Sequence, residues 1–191
     1  TPQTINPGED PDNPDPAYNG VKVDTPSDAE YDGTAHQWVP AVTDKDGNAL
    51  VEGTDYEVSY STDDFTNVTD TITVTITGKG NYTGEVTRTY QITPRAITLT
   101  SGSATKTYDG TALTNAEVNI TSGSLVDDAD VTYVATGTIT DVGSTDNTVD
   151  VKYASKQMEA NYDVTVQTGT LTVTPQTINP GEDPDNPDPA Y

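Results

Sequence analysis

The sequence predicts an all-β protein, from its composition, its strand patterns and its internal repeats. Threonine is the most abundant residue, and residues that favour strands far outnumber Met, Arg, Lys and Leu. Apolar and threonine residues alternate strictly over 70–77, where Ile72, Val74 and Ile76 would face the core. No stretch keeps a helical period over three turns, so we expect no helix.

Other strands follow the same alternation in both halves of the chain. Arg88 falls on the apolar face between Val86 and Tyr90, so we expect it near a sheet edge with its charge reaching water. The apolar parity changes within 164–173, which predicts a bulge or break near Gly169, because a strand changes face only with an inserted residue. Six or seven short strands per half favour an immunoglobulin-like β-sandwich, with a β-grasp-like sheet as the alternative.

The two ends of the chain are copies of one another. Residues 1–18 and 174–191 both read TPQTINPGEDPDNPDPAY, at an offset of 173 residues. Either a parent protein repeats a unit of this length, or it reuses the segment as a connector between units. Within it, the prolines and carboxylates of residues 6–16 predict an extended spacer on the order of 35 Å long. Simple disorder of the same segment is the other interpretation.

An older repeat divides the interior of the chain. Tyr31-Asp32-Gly33 followed by Thr-Ala matches Tyr108-Asp109-Gly110 followed by Thr-Ala, and both halves finish on Thr-Pro. We therefore predict two tandem domains joined end to end as a semi-rigid rod. The predicted boundaries are 1–18 for an acidic linker, 19–94 for domain 1, 95–175 for domain 2, and 176–191 for the linker of the next repeat.

The composition argues against several classes of function. A net charge of −23 with only 8 basic residues is unsuited to nucleic acid or anionic membranes, since both require clustered Lys and Arg. The same charge favours a soluble monomer. The chain contains no cysteine, whereas small secreted domains of animals are usually stapled by disulfides.

The residues that could carry chemistry are few. His36 is the only histidine and no serine lies in a Gly-x-Ser-x-Gly turn, so we predict that the chain is not an enzyme. Asp44, Asp46 and Asn48 alternate as calcium ligands do, but the glutamate of an EF-hand loop is not at its spacing. We expect a hairpin turn there, no cofactor, and at most weak calcium binding. For both Tyr-Asp-Gly motifs we expect a tight turn with a packed tyrosine, and ligand contact is the alternative.

The motifs at 30–35, 53–60 and 72–84 resemble a repeat common in Gram-positive cell-wall proteins, and 106–111 resembles the YDG-type, or MBG-type, modules of bacterial adhesins. The resemblance covers about residues 28–175. It implies an extracellular stalk repeat that projects a distal binding region, in a parent anchored to the cell wall outside this chain. Neighbouring repeats of the same chain would be its partners. The alternative is a repeat that itself binds host glycan or protein, with avidity from copy number.

Overall fold

The computed structural model describes residues 2–5 and 21–178, which group into two compact units. Unit 1 comprises 2–5, 21–95 and Ser155–Asp163, and unit 2 comprises Ala96–Ala154 and 164–178. Strands dominate both units, so the predicted β-rich fold is confirmed. The acidic segments 6–18 and 179–191, predicted to be spacers, lie outside the described residues.

Unit 1 has eight strands among its described residues. They are β1 (Gln3–Thr4), β2 (Lys22–Val23), β3 (Ala29–Glu30), β4 (Val42–Thr43), β5 (Tyr56–Tyr60), β6 (Thr69–Gly78), β7 (Tyr82–Thr83) and β8 (Glu85–Thr93). Four form a sheet in the order β3-β8-β6-β5, in which only β3 and β8 are parallel. Strand β2 pairs antiparallel with β4, and β1 pairs parallel with β7.

The core of unit 1 is centred on β6. Ile72, Val74 and Ile76 are fully buried, which confirms the predicted alternation. On the neighbouring β8, the guanidinium of Arg88 donates hydrogen bonds to the main-chain oxygens of Val23 and Asp24, at 2.8 and 2.9 Å. The aliphatic part of this side chain can therefore share the apolar face while its charged end satisfies carbonyl groups.

The second set of strands forms three small sheets. It consists of β9 (Arg95–Ser101), β10 (Ala104–Thr107), β11 (Val118–Ser122), β12 (Val131–Ala135), β13 (Gly143–Asn147), β14 (Val149–Tyr153), β15 (Tyr162–Gln167) and β16 (Gly169–Thr174). The sheets are ordered β10-β16-β13, β11-β9-β15 and β12-β14. Buried apolar side chains of β9, β12 and β16 form the core of unit 2: Ile97, Leu99, Val131, Leu171 and Val173.

The predicted break near Gly169 is confirmed. Strand β15 ends at Gln167 and β16 begins at Gly169, and the two strands belong to different sheets. A Cβ at Gly169 would lie 2.5 Å from the carbonyl oxygen of Gly102, so the crossing between sheets requires glycine. The main-chain N–H of Gly169 donates to the buried hydroxyl of Ser101 at 2.9 Å, which holds the crossing in place.

The two units share one strand topology. In each, the last long strand (β8 or β16) lies between a parallel partner (β3 or β10) and an antiparallel partner (β6 or β13). Strand β6 also pairs with β5, and its counterpart in unit 2 is divided, so that β14 pairs with β12. The pairs β4-β2 and β1-β7 of unit 1 correspond to the single sheet β11-β9-β15, most of whose residues belong to unit 2. The internal sequence repeat is therefore also a repeat of topology.

One short helix corrects the expectation of an all-β chain. Helix α1 (Lys156–Asn161) begins after Ser155, whose hydroxyl accepts the main-chain N–H of Met158 at 3.2 Å as an N-cap. Its six residues are too few to show a period over three turns, and too few to cross a membrane; the described residues contain no helix that could do so.

Two segments are grouped differently from the predicted domain boundaries. Residues 2–5, predicted as linker, belong to unit 1 because β1 pairs with β7 and Ile5 is buried. The helical segment Ser155–Asp163, predicted within domain 2, also belongs to unit 1. The chain passes from unit 1 to unit 2 between Arg95 and Ala96, one residue beyond the predicted junction. Independent folding of the two halves stays a prediction.

Candidate functional site

The first Tyr-Asp-Gly motif forms a tight turn at the end of β3. Asp32 accepts hydrogen bonds at Oδ1 from the main-chain N–H and the hydroxyl of Thr34, at 2.8 and 2.7 Å. Gly33 has a φ of 80°, a left-handed conformation that favours glycine. The N–H of Tyr31 donates to the carbonyl oxygen of Thr93 at 2.9 Å and ties the turn to β8.

The second motif forms the same turn at the end of β10. Asp109 accepts at Oδ1 from the main-chain N–H and the hydroxyl of Thr111, at 2.9 and 2.8 Å. Gly110 has a φ of 79°. The N–H of Tyr108 donates to the carbonyl oxygen of Thr174 at 2.8 Å. In both motifs, then, the aspartate side chain closes a turn of its own backbone, which is the ordinary role of Asp before Gly.

A third donor distinguishes the two carboxylates. His36 Nε2 lies 2.8 Å from Asp32 Oδ1, whereas Lys106 Nζ donates to Asp109 Oδ1 at 2.7 Å. The hydrogen bonds from Thr34, reinforced by His36, lower the pKa of Asp32 to about 2. The ammonium of Lys106, followed by the bonds from Thr111, lowers the pKa of Asp109 well below its usual range. Both carboxylates are therefore ionised acceptors rather than proton donors at neutral pH.

The two tyrosines differ in burial. Tyr31 is 5% exposed and packs edge-on against Tyr162, with ring centroids 5.5 Å apart. Its hydroxyl points at the sulfur of Met158, 3.8 Å away. Tyr108 is 38% exposed. The expectation that the motif tyrosine packs beside its turn is met at Tyr31 and only in part at Tyr108.

His36 is held by structural hydrogen bonds within unit 1. Its main-chain N–H donates to the carbonyl oxygen of Phe65 at 2.8 Å, and its carbonyl oxygen accepts the hydroxyl of Tyr90 at 2.9 Å. With its ring on Asp32, the residue fixes the path of the chain beyond the turn. The Asp32–His36 pair lies at the surface, with the two side chains 44% and 26% exposed.

The candidate calcium ligands form the predicted turn. Asp44 accepts the main-chain N–H groups of Asp46 and Asn48 at 2.9 and 2.8 Å, and Asn48 Nδ2 donates to it at 2.9 Å. The bonds from Asn48 lower the pKa of Asp44. The carboxylate of Asp46 pairs instead with Lys45 Nζ at 2.6 Å. Among the residues that the structure describes, no three or more His, Asp or Glu side chains converge as metal ligands do.

The sequence reasoning missed a buried asparagine at the end of α1. Asn161 is fully buried within unit 1, where its Oδ1 accepts the main-chain N–H of Val68 at 3.0 Å and its Nδ2 donates to Asn67 Oδ1 at 2.8 Å. Asn161-Tyr162 matches Asn81-Tyr82 in the sequence, which places the position within the internal repeat. The match did not indicate that Asn161 is buried, and the matching Asn81 is exposed in the structure.

Searched against protein-family models and curated proteins, the chain matches no family and no curated protein. The candidate sites are surface turns in which Asp32, Asp44 and Asp109 accept hydrogen bonds from residues nearby in the chain.

Proposed function

We propose that this chain is a structural stalk repeat of a long bacterial surface adhesin, which holds a distal binding region away from the cell wall. The observation that carries the proposal is the identical 18-residue segment at both ends, flanking two units of one topology. A stalk grows in length by adding copies of such a unit, and its surface needs no ligand. The parent would be extracellular and anchored through a region beyond this chain.

The state of the polar groups supports a structural role. Asp32, Asp44 and Asp109 each accept three or more hydrogen bonds from neighbouring residues. A catalytic or ligand-binding carboxylate needs free acceptor capacity directed at the substrate. Asp32 and Asp109 accept all three bonds at Oδ1, and Asp44 accepts at both oxygens, from residues within five positions along the chain, which fits a role in closing turns.

We propose further that each unit is a small β-sandwich, with the β-grasp arrangement as the alternative, and that the units are joined end to end. Strand pairing supports this arrangement because the sheet β3-β8-β6-β5 lies within unit 1, the sheets β10-β16-β13 and β12-β14 lie within unit 2, and each unit has its own buried apolar side chains. The net charge of −23 would oppose side-by-side packing of two acidic units. Small-angle scattering tests the arrangement: a radius of gyration near the compact value of roughly 16 Å for this length would contradict it.

The stalk proposal is tested by reach, the distance from the cell wall at which the chain holds a binding domain. One, two or four copies of the chain would be inserted between a cell-wall anchor and a reporter that binds a ligand-coated bead. The proposal expects bead capture to rise with copy number, while the affinity of the soluble reporter stays unchanged. As a control, the isolated chain would be tetramerised and applied to a glycan array and to host matrix proteins. Saturable binding there, with capture independent of reach, would favour the host-binding repeat instead.

A further inference from the structure

The same residues occur at both ends of the chain in two different environments. Near the N-terminus, Gln3–Thr4 form β1 in parallel with β7, and Ile5 is only 2% exposed. The identical C-terminal copy contains Ile178, which is 94% exposed. Residues 175–178, although described, belong to no strand. One sequence is thus seen both docked on a sheet edge and undocked.

The N-terminal copy binds at a defined position on the edge of β7. The N–H groups of Gln3 and Ile5 donate to the carbonyl oxygens of Asn81 and Thr83, both at 2.8 Å. Gly84 has a φ of 87°, which favours glycine, and a Cβ there would lie 2.9 Å from Cγ2 of Thr4, so β1 runs close to this glycine. Main-chain hydrogen bonds with a buried side chain are the features by which an extended peptide adds to a sheet edge.

Comparison with β9 of unit 2 shows which strand the N-terminal segment corresponds to. Its strand β9 runs without interruption and buries Ile97, Leu99 and Ser101 on one face. Strand β9 pairs with both β11 and β15, as β2 and β1 together pair with β4 and β7. In unit 1 the corresponding buried side chains are Ile5, Val21 and Val23, which are 2%, 0% and 3% exposed. Strands β1 and β2 are therefore the two parts of one first strand, and residues 6–20 connect them.

The junctions between strands follow the same pattern. Strand β8 ends at Thr93, and after the single residue Pro94 strand β9 begins. Strand β16 ends at Thr174 and is followed by Pro175 and then by 176–178, the copy of the β1 segment. The chain beyond Thr174 thus has the sequence of a first strand and stands where a first strand should start.

We propose that residues 176–178 are the first strand of the next repeat, and that they add to β7 of a second copy of this chain in the place of residues 3–5. Ile178 would then be buried as Ile5 is. That the edge of β7 joins successive stalk repeats rests on the proposed function. The strand addition itself does not rest on it. Since Ile5 and Val21, which flank residues 6–20, both belong to unit 1, that segment would not set the distance between successive repeats.

Hydrogen exchange on a two-repeat chain, residues 1–173 followed by 1–191, tests the proposal without any substitution. In the single repeat, the amide of Ile5 should be protected and that of Ile178 should exchange freely. In the two-repeat chain, the amide at position 178 should slow by at least about tenfold, because it gains a carbonyl partner. Unchanged exchange at position 178, or free exchange at Ile5 in the single repeat, would overturn the proposal.

Disulfide trapping gives a second test, because the chain has no cysteine of its own. Thr4 is in register with Thr83, so Thr4→Cys with Thr83→Cys should close within one molecule. Combining Ile5→Asp with Thr83→Cys and Thr177→Cys should free the edge and give a ladder of linked molecules, and adding Ile178→Asp should abolish most of it. If the first variant forms its disulfide but the second gives no ladder, or if the third gives a ladder equal to that of the second, the strand addition is contradicted. The stalk proposal would still be judged by the reach experiment.

Discussion

The two Tyr-Asp-Gly turns have the same backbone and different surroundings. Their glycines have φ values of 80° and 79°, and each tyrosine N–H bonds to the terminal threonine of the parallel strand. Around this common frame, Tyr31 is buried under Tyr162 and Met158 of the Ser155–Asp163 segment, whereas Tyr108 is 38% exposed. The turn is therefore a property of the motif, and the burial of its tyrosine depends on what packs over it.

The difference shows why a short motif can recur without a shared ligand. The aspartate, the glycine and the threonine form a closed set of local hydrogen bonds that needs no other part of the chain. The tyrosine contributes to stability only where a second segment covers it. Duplication can thus preserve the turn in both halves, while the motif tyrosine stabilises the fold mainly in the half where it is covered.

The largest expected difference is between Tyr31→Ala and Tyr108→Ala. Removing the buried Tyr31 ring leaves a cavity and should lower the free energy of unfolding of unit 1 by about 3 kcal/mol or more. Removing the exposed Tyr108 ring should cost unit 2 about 1 kcal/mol or less. Trp38 is the only tryptophan and lies in unit 1, so its fluorescence in urea reports the first effect. Exchange of the β16 amides in unit 2 reports the second effect. Equal losses of stability in the two units would contradict the comparison.

The covering segment can be tested through its buried asparagine. Asn161→Ala leaves the main-chain N–H of Val68 without its 3.0 Å acceptor and should destabilise unit 1 by about 2 kcal/mol. Asn81→Ala is the matched control, because Asn81 is exposed and should cost less than about 0.5 kcal/mol. The same Trp38 transition would be followed. If Asn161→Ala left it unmoved, the segment would not be part of unit 1.

The sequence predicted those features that depend on local patterns. Strict alternation located the buried face of β6, and the parity change within 164–173 located the crossing at Gly169. Asp-Gly chemistry predicted the turns at Asp32, Asp44 and Asp109. Each of these signals lies within a few residues and follows from side-chain geometry, so one sequence is enough to read it.

The features that the sequence did not predict depend on distant contacts. Helix α1 is one capped turn, and a turn of this length has no period to detect. The pairing of β1 with β7 joins residues about eighty positions apart, and the proline-rich run after Ile5 favoured a linker. The burial of Asn161 depends on partners at Asn67 and Val68, which no local pattern connects to it.

A smaller and equal effect is expected from Gly33→Ala and Gly110→Ala. Each glycine has a positive φ, and an added Cβ strains that conformation by about 1 kcal/mol. At Gly110 no other atom lies within 4 Å of the added Cβ, so its cost is that of the backbone alone. Unfolding of unit 1 by fluorescence and exchange of β16 amides in unit 2 would measure the two costs. A cost confined to one unit would show that the turns are not equivalent.

The smallest expected effects concern which neighbouring groups lower the pKa values of Asp32 and Asp109. The pKa of Asp32, about 2 in the folded chain against an ordinary 3.8, is lowered first by the hydroxyl of Thr34. That of Asp109 is lowered first by Lys106. We therefore expect Thr34→Val to raise the pKa of Asp32 more than His36→Ala does. Lys106→Met should raise that of Asp109 more than Thr111→Val does. Carboxyl carbon NMR titration measures all four shifts.

The sign of the accompanying stability change follows from linkage. Because the folded pKa of Asp32 lies below its unfolded value, the carboxylate stabilises unit 1 above about pH 4, and this contribution is lost as the pH falls through about 2. Thr34→Val should therefore lower the stability of unit 1 most above about pH 4, where this contribution is complete, and flatten the acid limb of its unfolding curve between those values. Salt adds a second distinction: the ion pair with Lys106 is screened, so 1 M salt should raise the pKa of Asp109 more than that of Asp32. Identical salt responses would mean that the neutral threonine donors dominate both turns.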